Sequence, residues 1–138
     1  MALGDMNAYG ELIYSLPDRY SSIQHSSLVL APIGRWLAEL EGQIVFRNDI
    51  VLDVWELVDF ALARIRNYNY EIYRADEKIA WYDPFEHPHL PDLSSTYPHH
   101  KHVPPDIKHH RVPAPGIRFD APNLPRLINE IERDLSEE

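Results

Sequence analysis

The stretch "YNYEIYRADEKIAWYDPF", residues 68–85, carries the clearest strand pattern in the chain. Within it Tyr68, Tyr70 and Ile72 alternate with more polar neighbours, and this two-residue period is typical of a half-buried strand. Residues 75–78 predict a turn, and the apolar run from Ile79 to Tyr82 predicts the returning strand. The stretch as a whole therefore indicates an antiparallel hairpin.

Residues 26–83 predict a sheet of which this hairpin is the last part. Upstream, "SSLVLA" at 26–31 predicts a strand that stops at Pro32, and "RWLAELEG" at 35–42 predicts one that ends at Gly42. The segments "QIVF" at 43–46 and "IVLDVWELVDF" at 50–60 flank a polar turn at 47–49, and each places its apolar side chains on one face. These connections are too short for parallel crossovers, so we predict an antiparallel meander of four to six strands.

Helical patterns flank the predicted sheet. Residues 7–16 predict a short helix that Pro17 ends, and residues 123–136 predict a longer one with Asn123 as its N-cap. The second pattern has one apolar stripe, formed by Leu124, Leu127, Ile128, Ile131 and Leu135. We therefore expect an α+β fold in a single domain over residues 1–138, with both helices on one face of the sheet.

Residues 84–122 differ in composition from the rest of the chain. They contain nine of the twelve prolines, and proline lacks the backbone donor that ladders and helices need. We predict a long loop rich in proline and histidine, and a loop of this length within a compact domain is usually functional or disordered.

The overall composition bounds the class of protein. The chain has 138 residues, 44% of them hydrophobic and 25% charged, which is typical of a globular domain. It has no cysteine, and its N-terminal residues lack the pattern of a secretory signal, so we predict a cytoplasmic protein that does not enter a membrane. The net charge of −9 argues against a protein that coats nucleic acid, although residues 99–118 alone carry a local charge of +3.

Seven of the eight histidines lie between His87 and His110, and three interpretations of this cluster compete. The first is a metal site, with imidazole ligands from two groups of histidines and a carboxylate from Asp83, Glu86 or Asp92. No helical His-x-x-x-His spacing supports it, and Lys101 would place a positive charge beside the ion. We therefore expect neither a metal nor another cofactor.

The second interpretation is acid–base chemistry on a phosphodiester. Histidine titrates nearest to neutral pH, so two histidines can serve as base and acid. Lys101, Lys108 and Arg111 would stabilise the charge of the transition state, and Tyr97 would stack on a base. RNA supplies its own 2′-hydroxyl nucleophile, so the reaction needs no metal. The third interpretation is a proline-fixed surface loop without catalytic chemistry, either structural or a binding module for a protein or an anion.

The order of several motifs resembles a known family. Tyr68-x-Tyr70 is followed by "WYD" at 81–83, "HPH" at 87–89 and "PHHKHV" at 98–103. This order, over roughly residues 26–135, resembles the TumE-like family of bacterial toxin–antitoxin proteins. The chain differs from the family pattern at residues 83–89, and its segment "PPDIKHHRVPAPGIRFDAPNLP" before the last helix is longer than usual.

The resemblance implies a small α+β toxin that is neutralised by an antitoxin protein encoded nearby. It places the site on the PHHKH motif (residues 98–102), whose catalytic candidates are His99, His100, Lys101 and His102. The substrate-binding candidates are Tyr97, Lys108, His109, His110 and Arg111, and the secondary candidates are Asp83, His87 and His89.

A mechanism follows as a hypothesis, with RNA as the substrate. One histidine of the motif deprotonates the 2′-hydroxyl, and a second, from the motif or from His109 and His110, protonates the leaving 5′-oxygen. The cations Lys101 and Arg111 stabilise the phosphorane-like transition state. The pattern does not indicate an oligomeric state.

Overall fold

The structure of the protein is a computed structural model that describes residues 2–84, 100–104, 111–114 and 116–135. In these ranges it contains the helices α1 (Met6–Arg19) and α2 (Leu124–Leu135) and the strands β1 (Ile23–Ser26), β2 (Val29–Pro32), β3 (Leu37–Phe46), β4 (Ile50–Asp59), β5 (Arg64–Arg74), β6 (Glu77–Asp83), β7 (His100–His102) and β8 (Arg111–Pro113). The α+β class is confirmed.

The strands form one antiparallel sheet in the order β1-β3-β4-β5-β6-β7-β8, and β2 also pairs with β3. The described part of the sheet thus has eight strands, more than the four to six predicted. Two of the additional strands, β7 and β8, lie within the segment predicted to be a loop. The prediction of a continuous loop over 84–122 is therefore wrong at these two places, because pairing of β7 with β6, and of β8 with β7, makes strands of segments that are too short and too proline-rich to show a period.

The hairpin of β5 and β6 has the predicted pairing but a tighter turn. Arg74 pairs with Glu77, so the turn consists of two residues, Ala75 and Asp76, whose φ angles are +50° and +72°. Positive φ at both positions is the geometry that matches the twist of a two-residue hairpin. Residues 77 and 78 belong to β6 instead of the turn.

Strand β3 does not end at Gly42 as predicted but continues through it to Phe46. Gly42 has a φ of +144°, and a Cβ atom there would lie 2.6 Å from the backbone oxygen of Ser27. The glycine therefore allows the chain between β1 and β2 to pass close over β3, which explains why two short strands pair with one long strand.

Both helices pack on one face of the sheet. The inward side chains of β4 alternate regularly along the strand: Ile50, Leu52, Val54, Glu56 and Val58 are all buried. Helix α1 adds Tyr9, Ile13 and Leu16 to the same core, and α2 adds Leu124, Leu127, Ile128 and Ile131. The opposite face of β3, β4 and β5 carries no helix among the residues that the structure describes.

The ends of the helices differ in detail from the prediction. Helix α1 continues to Arg19, past Pro17, because the N–H of Tyr20 still donates to the carbonyl of Leu16 (3.0 Å). Asn123 precedes α2 as predicted, and its carbonyl accepts from the N–H of Leu127. Its side chain, however, accepts from the N–H of Arg118 and donates to the hydroxyl of Tyr70, so it joins α2 to the sheet.

Candidate functional site

Pairing between β6, β7 and β8 places part of the PHHKH motif in the sheet. Trp81 stands opposite His102, Tyr82 opposite Lys101, and Asp83 opposite His100. On the other side of β7, His102 pairs with Arg111. His100 and Arg111 are therefore placed by strand register alone.

Strand geometry separates Lys101 from His102. Successive side chains of a strand point to opposite faces of the sheet, and the contacts of these two residues follow that rule. The ammonium of Lys101 contacts Glu130 of α2, on the helix-covered face, whereas the imidazole of His102 stacks on Trp81. The two residues thus lie next to each other in the chain and on different sides of the sheet.

His102 is an almost fully buried imidazole held between an aromatic ring and a carboxylate. Its exposed fraction is 1%, its ring centroid lies 4.3 Å from that of Trp81, and the two planes differ by 21°. The His102 Nε2 atom lies 3.2 Å from the Asp83 Oδ1 atom. The Trp81 indole N–H donates to the Asn69 side-chain oxygen, which fixes the ring against which the imidazole stacks.

The pair of His102 and Asp83 has the geometry by which a carboxylate orients an imidazole. With the proton on Nε2, His102 donates to Asp83, and this bond selects the tautomer and the direction of the ring. The arrangement suits proton transfer, and it also suits a structural role at the edge of the sheet.

Lys101 takes part in a second polar cluster, with Glu130 and Tyr82. Its ammonium lies 2.7 Å from Glu130 Oε1, and the Tyr82 hydroxyl donates to Glu130 Oε2 at 2.5 Å. Burial and the hydrogen bond to Glu130 raise the pKa of Tyr82 far above its ordinary value, so the hydroxyl keeps its proton. The cluster connects α2 with β6 and β7.

A third polar cluster, which the sequence analysis did not single out, lies inside the core. The Glu56 carboxylate accepts hydrogen bonds from the Tyr9 and Tyr70 hydroxyls, both at 2.5 Å, and Tyr70 accepts one from Asn123. Burial raises the pKa of Glu56, and the two hydroxyl donors oppose part of that rise. The pKa values of both tyrosines are also raised, first by burial and then by the nearby Glu56.

A sequence signal for Glu56 did exist. The residue occupies the inward phase of the alternating pattern of β4, between Val54 and Val58. A carboxylate at an apolar position of such a pattern indicates a buried charge with partners from other elements. Glu56, His102 and Asn123 are the three buried polar side chains in the described part of the chain.

Most of the other predicted site residues lie outside the described residues. These are Tyr97, His99, Lys108, His109 and His110, together with His87 and His89 of the secondary set. Within residues 2–84, 100–104, 111–114 and 116–135, no three histidine, aspartate or glutamate side chains lie close enough together to hold a metal ion. In the same ranges, no helix has the length and hydropathy to cross a membrane.

A comparison with known protein families identifies the family of this chain. The family model described as Toxin TumE matches residues 16–135, which include every described strand and α2. The chain belongs to the Toxin TumE family. The match confirms the resemblance seen in the sequence and extends it by ten residues, from 26 to 16, into the last turn of α1. No curated protein and no solved structure matches the chain.

Proposed function

We propose that this member of the Toxin TumE family is the toxin of a toxin–antitoxin pair and that it cleaves RNA without a metal ion. The toxin part of the proposal is supported by the family match over residues 16–135. The chemical part is supported by one observation, the contact of His102, in the PHHKH motif, with Asp83 at the end of β6.

In this proposal the Asp83–His102 pair carries acid–base chemistry on the phosphodiester. A histidine takes the proton of the 2′-hydroxyl, the 2′-oxygen forms a bond to phosphorus, and the bond to the 5′-oxygen breaks as a second histidine protonates it. His99 and His100 are the neighbouring candidates for the second role. The products would be a 2′,3′-cyclic phosphate and a 5′-hydroxyl.

For Lys101 the contacts favour a positioning role. Its ammonium is paired with Glu130 on the face opposite to His102, so it holds β7 against α2. Arg111 and Lys108 then remain the proposed cations for the phosphate. His102 would depend on Lys101 only through the placement of β7.

The test is incubation of the purified protein with cellular RNA, with and without EDTA. We expect cleavage that resists EDTA and leaves cyclic phosphate ends, and we expect His102→Ala and Asp83→Asn to abolish it. His25→Ala is the matched control, because His25 is exposed on β1 and lies outside the cluster. Cleavage by a folded His102→Ala variant at the wild-type rate would overturn the assignment.

A pair of Lys101 variants separates positioning from catalysis. Lys101→Ala should lower both stability and cleavage, because it leaves the Glu130 carboxylate without its cation. The double variant Lys101→Met/Glu130→Gln removes both charges and should recover most of the cleavage. A double variant that folds as stably as the wild type but stays inactive would show that Lys101 acts on the substrate.

A non-enzymatic binding module is the second candidate. The burial of His102 favours it, because a general base must reach the proton it removes, and an imidazole that is 1% exposed serves packing as well as chemistry. A purified protein that cleaves no RNA under any of these conditions would support this alternative.

The antitoxin is the proposed partner. We expect the product of the neighbouring gene to bind the protein and to suppress its toxicity when the two are produced together. Absence of binding between the two purified proteins in size-exclusion chromatography would count against this part of the proposal.

A further inference from the structure

The helix-free face of the sheet carries a groove over β3, β4 and β5. Side chains that alternate with the buried core residues point to this face, among them Glu41, Asp53, Trp55, Glu71 and Tyr73. Two adjoining cavities, of 430 and 690 Å³, lie on it and share Gln43 and Asp53 as lining residues. Together they form one acidic groove, which adjoins the His102 contacts only through Asn69, the residue that accepts the hydrogen bond of Trp81.

The charged side chains that line the groove are all acidic. Glu41, Asp53 and Glu71 line the first cavity, and Asp49, Asp53 and Asp76 line the second. Among the residues that the structure describes, no lysine, arginine or histidine lines either cavity. Lys78 lies 3.3 Å from Glu71, whereas the other four carboxylates form no ion pair with another residue in the described part of the chain.

Hydrogen bonds between side chains of this face hold the groove in a defined shape. The Trp55 indole donates to Glu39 at 3.2 Å, and the Gln43 amide donates to Asp53 at 2.5 Å. The Tyr73 hydroxyl and the Asn69 amide both donate to Glu71. The flat side of an aromatic ring beside fixed carboxylates is the environment that a guanidinium prefers.

The length of the groove also limits its occupant. It follows β4 from Trp55 to Asp49, the turn residue just before the strand, a distance of about 20 Å for an extended chain. About six residues of an extended chain cover that distance. Phosphate groups would be repelled by the carboxylates, and a second copy would bring the same negative face against this one.

We propose that the acidic groove binds an extended segment of a partner protein that carries lysine or arginine at alternate positions. The cations would face the carboxylates of β3, β4 and β5, and an arginine would stack on Trp55. This surface does not depend on whether the protein cleaves RNA, because neither His102 nor Asp83 lines it.

The test uses a fluorescein-labelled peptide of four Arg-Ser repeats, with a peptide of four Glu-Ser repeats as its control, and measures fluorescence anisotropy. We expect the basic peptide alone to bind, with an affinity that falls as salt rises. The variant Glu41→Gln/Asp53→Asn should weaken binding by about ten-fold or more. Glu11→Gln/Asp18→Asn removes the same charge from exposed positions of α1 and should weaken it less than about two-fold.

A second readout locates the bound peptide. Unlabelled basic peptide should change the tryptophan fluorescence of the protein, and this change should disappear in Trp55→Phe and persist in Trp36→Phe, whose ring is 53% exposed on a loop. No binding of the basic peptide, or equal losses in the two charge variants, would overturn the proposal. So would sedimentation that shows a dimer dissociated by Glu41→Gln/Asp53→Asn, because the groove would then belong to a second copy.

Discussion

Glu56 is a carboxyl group in surroundings that favour its neutral form. It is fully buried on β4, and its two oxygens accept from hydroxyls of α1 and β5. A buried carboxyl without such donors would destabilise the fold by several kcal/mol. The two tyrosines thus allow a polar residue to occupy an inward position of the sheet.

The raised pKa of Glu56 predicts a pH dependence of stability. Glu56 holds its proton more tightly in the folded chain than in the unfolded chain, where its pKa is near 4.5. The free energy of unfolding therefore decreases as the pH rises from 4.5 through the pKa of Glu56 in the folded chain. Glu56→Gln stays neutral and lacks this loss. The free energy of unfolding of the variant relative to wild type should therefore increase across this window.

Urea denaturation at a series of pH values measures this difference. Glu11→Gln, at an exposed position of α1, is the control for the removal of a carboxylate. A difference for Glu56→Gln that does not change with pH would contradict the raised pKa.

Residue identity did not predict the contacts within the motif. The sequence placed His102 and Lys101 in one motif, but it did not show that His102 would contact Asp83 while Lys101 contacts Glu130. Side-chain type limits what a residue can do, whereas its partner depends on which element lies opposite.

Among the elements, β3 shows how a single glycine changes the meaning of a pattern. From the local sequence, Gly42 indicates the end of a strand, because glycine often marks a break. In the structure the strand continues, and the missing side chain leaves room for the backbone at Ser27 and Leu28. The local pattern cannot distinguish the two cases, since the crossing chain is distant in sequence.

Two glycines with nearly the same backbone angle test this account. Gly42 has φ +144°, and a Cβ atom there would lie 2.6 Å from the backbone of Ser27, whereas Gly34 has φ +145° and nothing within 4 Å of the same position. Gly34→Ala should cost about 1 kcal/mol for the backbone alone, and Gly42→Ala about 3 kcal/mol or more. Thermal denaturation of the two variants gives the comparison. Equal losses of stability would show that the close approach of the β1–β2 connection to Gly42 does not contribute to the cost.

For α2 the pattern was sufficient. Its apolar stripe predicted a helix that packs on the sheet, and Leu124, Leu127, Ile128 and Ile131 are all buried in the core. A helix of 12 residues with one apolar stripe has few alternative ways to pack, so local periodicity determines its orientation.

At the scale of the whole molecule, the sheet separates two polar clusters, although Lys101 of one and His102 of the other are adjacent in the chain. Lys101, Glu130 and Tyr82 form a cluster under α2, while His102, Asp83 and Trp81 form another on the opposite face. The acidic groove lies on the same face as His102 but over other strands. The β6–β7 pairing thus determines which residues can act together.

Double-mutant cycles measure this separation. Lys101→Met and Glu130→Gln should couple by about 0.5–3 kcal/mol in the free energy of unfolding, because the two side chains are in contact. Lys101→Met and Asp83→Asn should be additive within about 0.5 kcal/mol. Strong coupling in the second cycle would mean that Lys101 and Asp83 share one site. The positioning role proposed for Lys101 would then be wrong.

Patterns in the sequence were enough to predict the α+β class, the β5–β6 hairpin, the apolar stripe of α2 and membership in the Toxin TumE family. These features depend on local periodicity or on the order of short motifs, both of which are written along the chain. Only the folded chain shows that Glu56 contacts Tyr9, that Lys101 contacts Glu130, and that β7 pairs with β6. Each of these depends on strand register and on contacts between residues far apart in sequence, which local patterns do not specify.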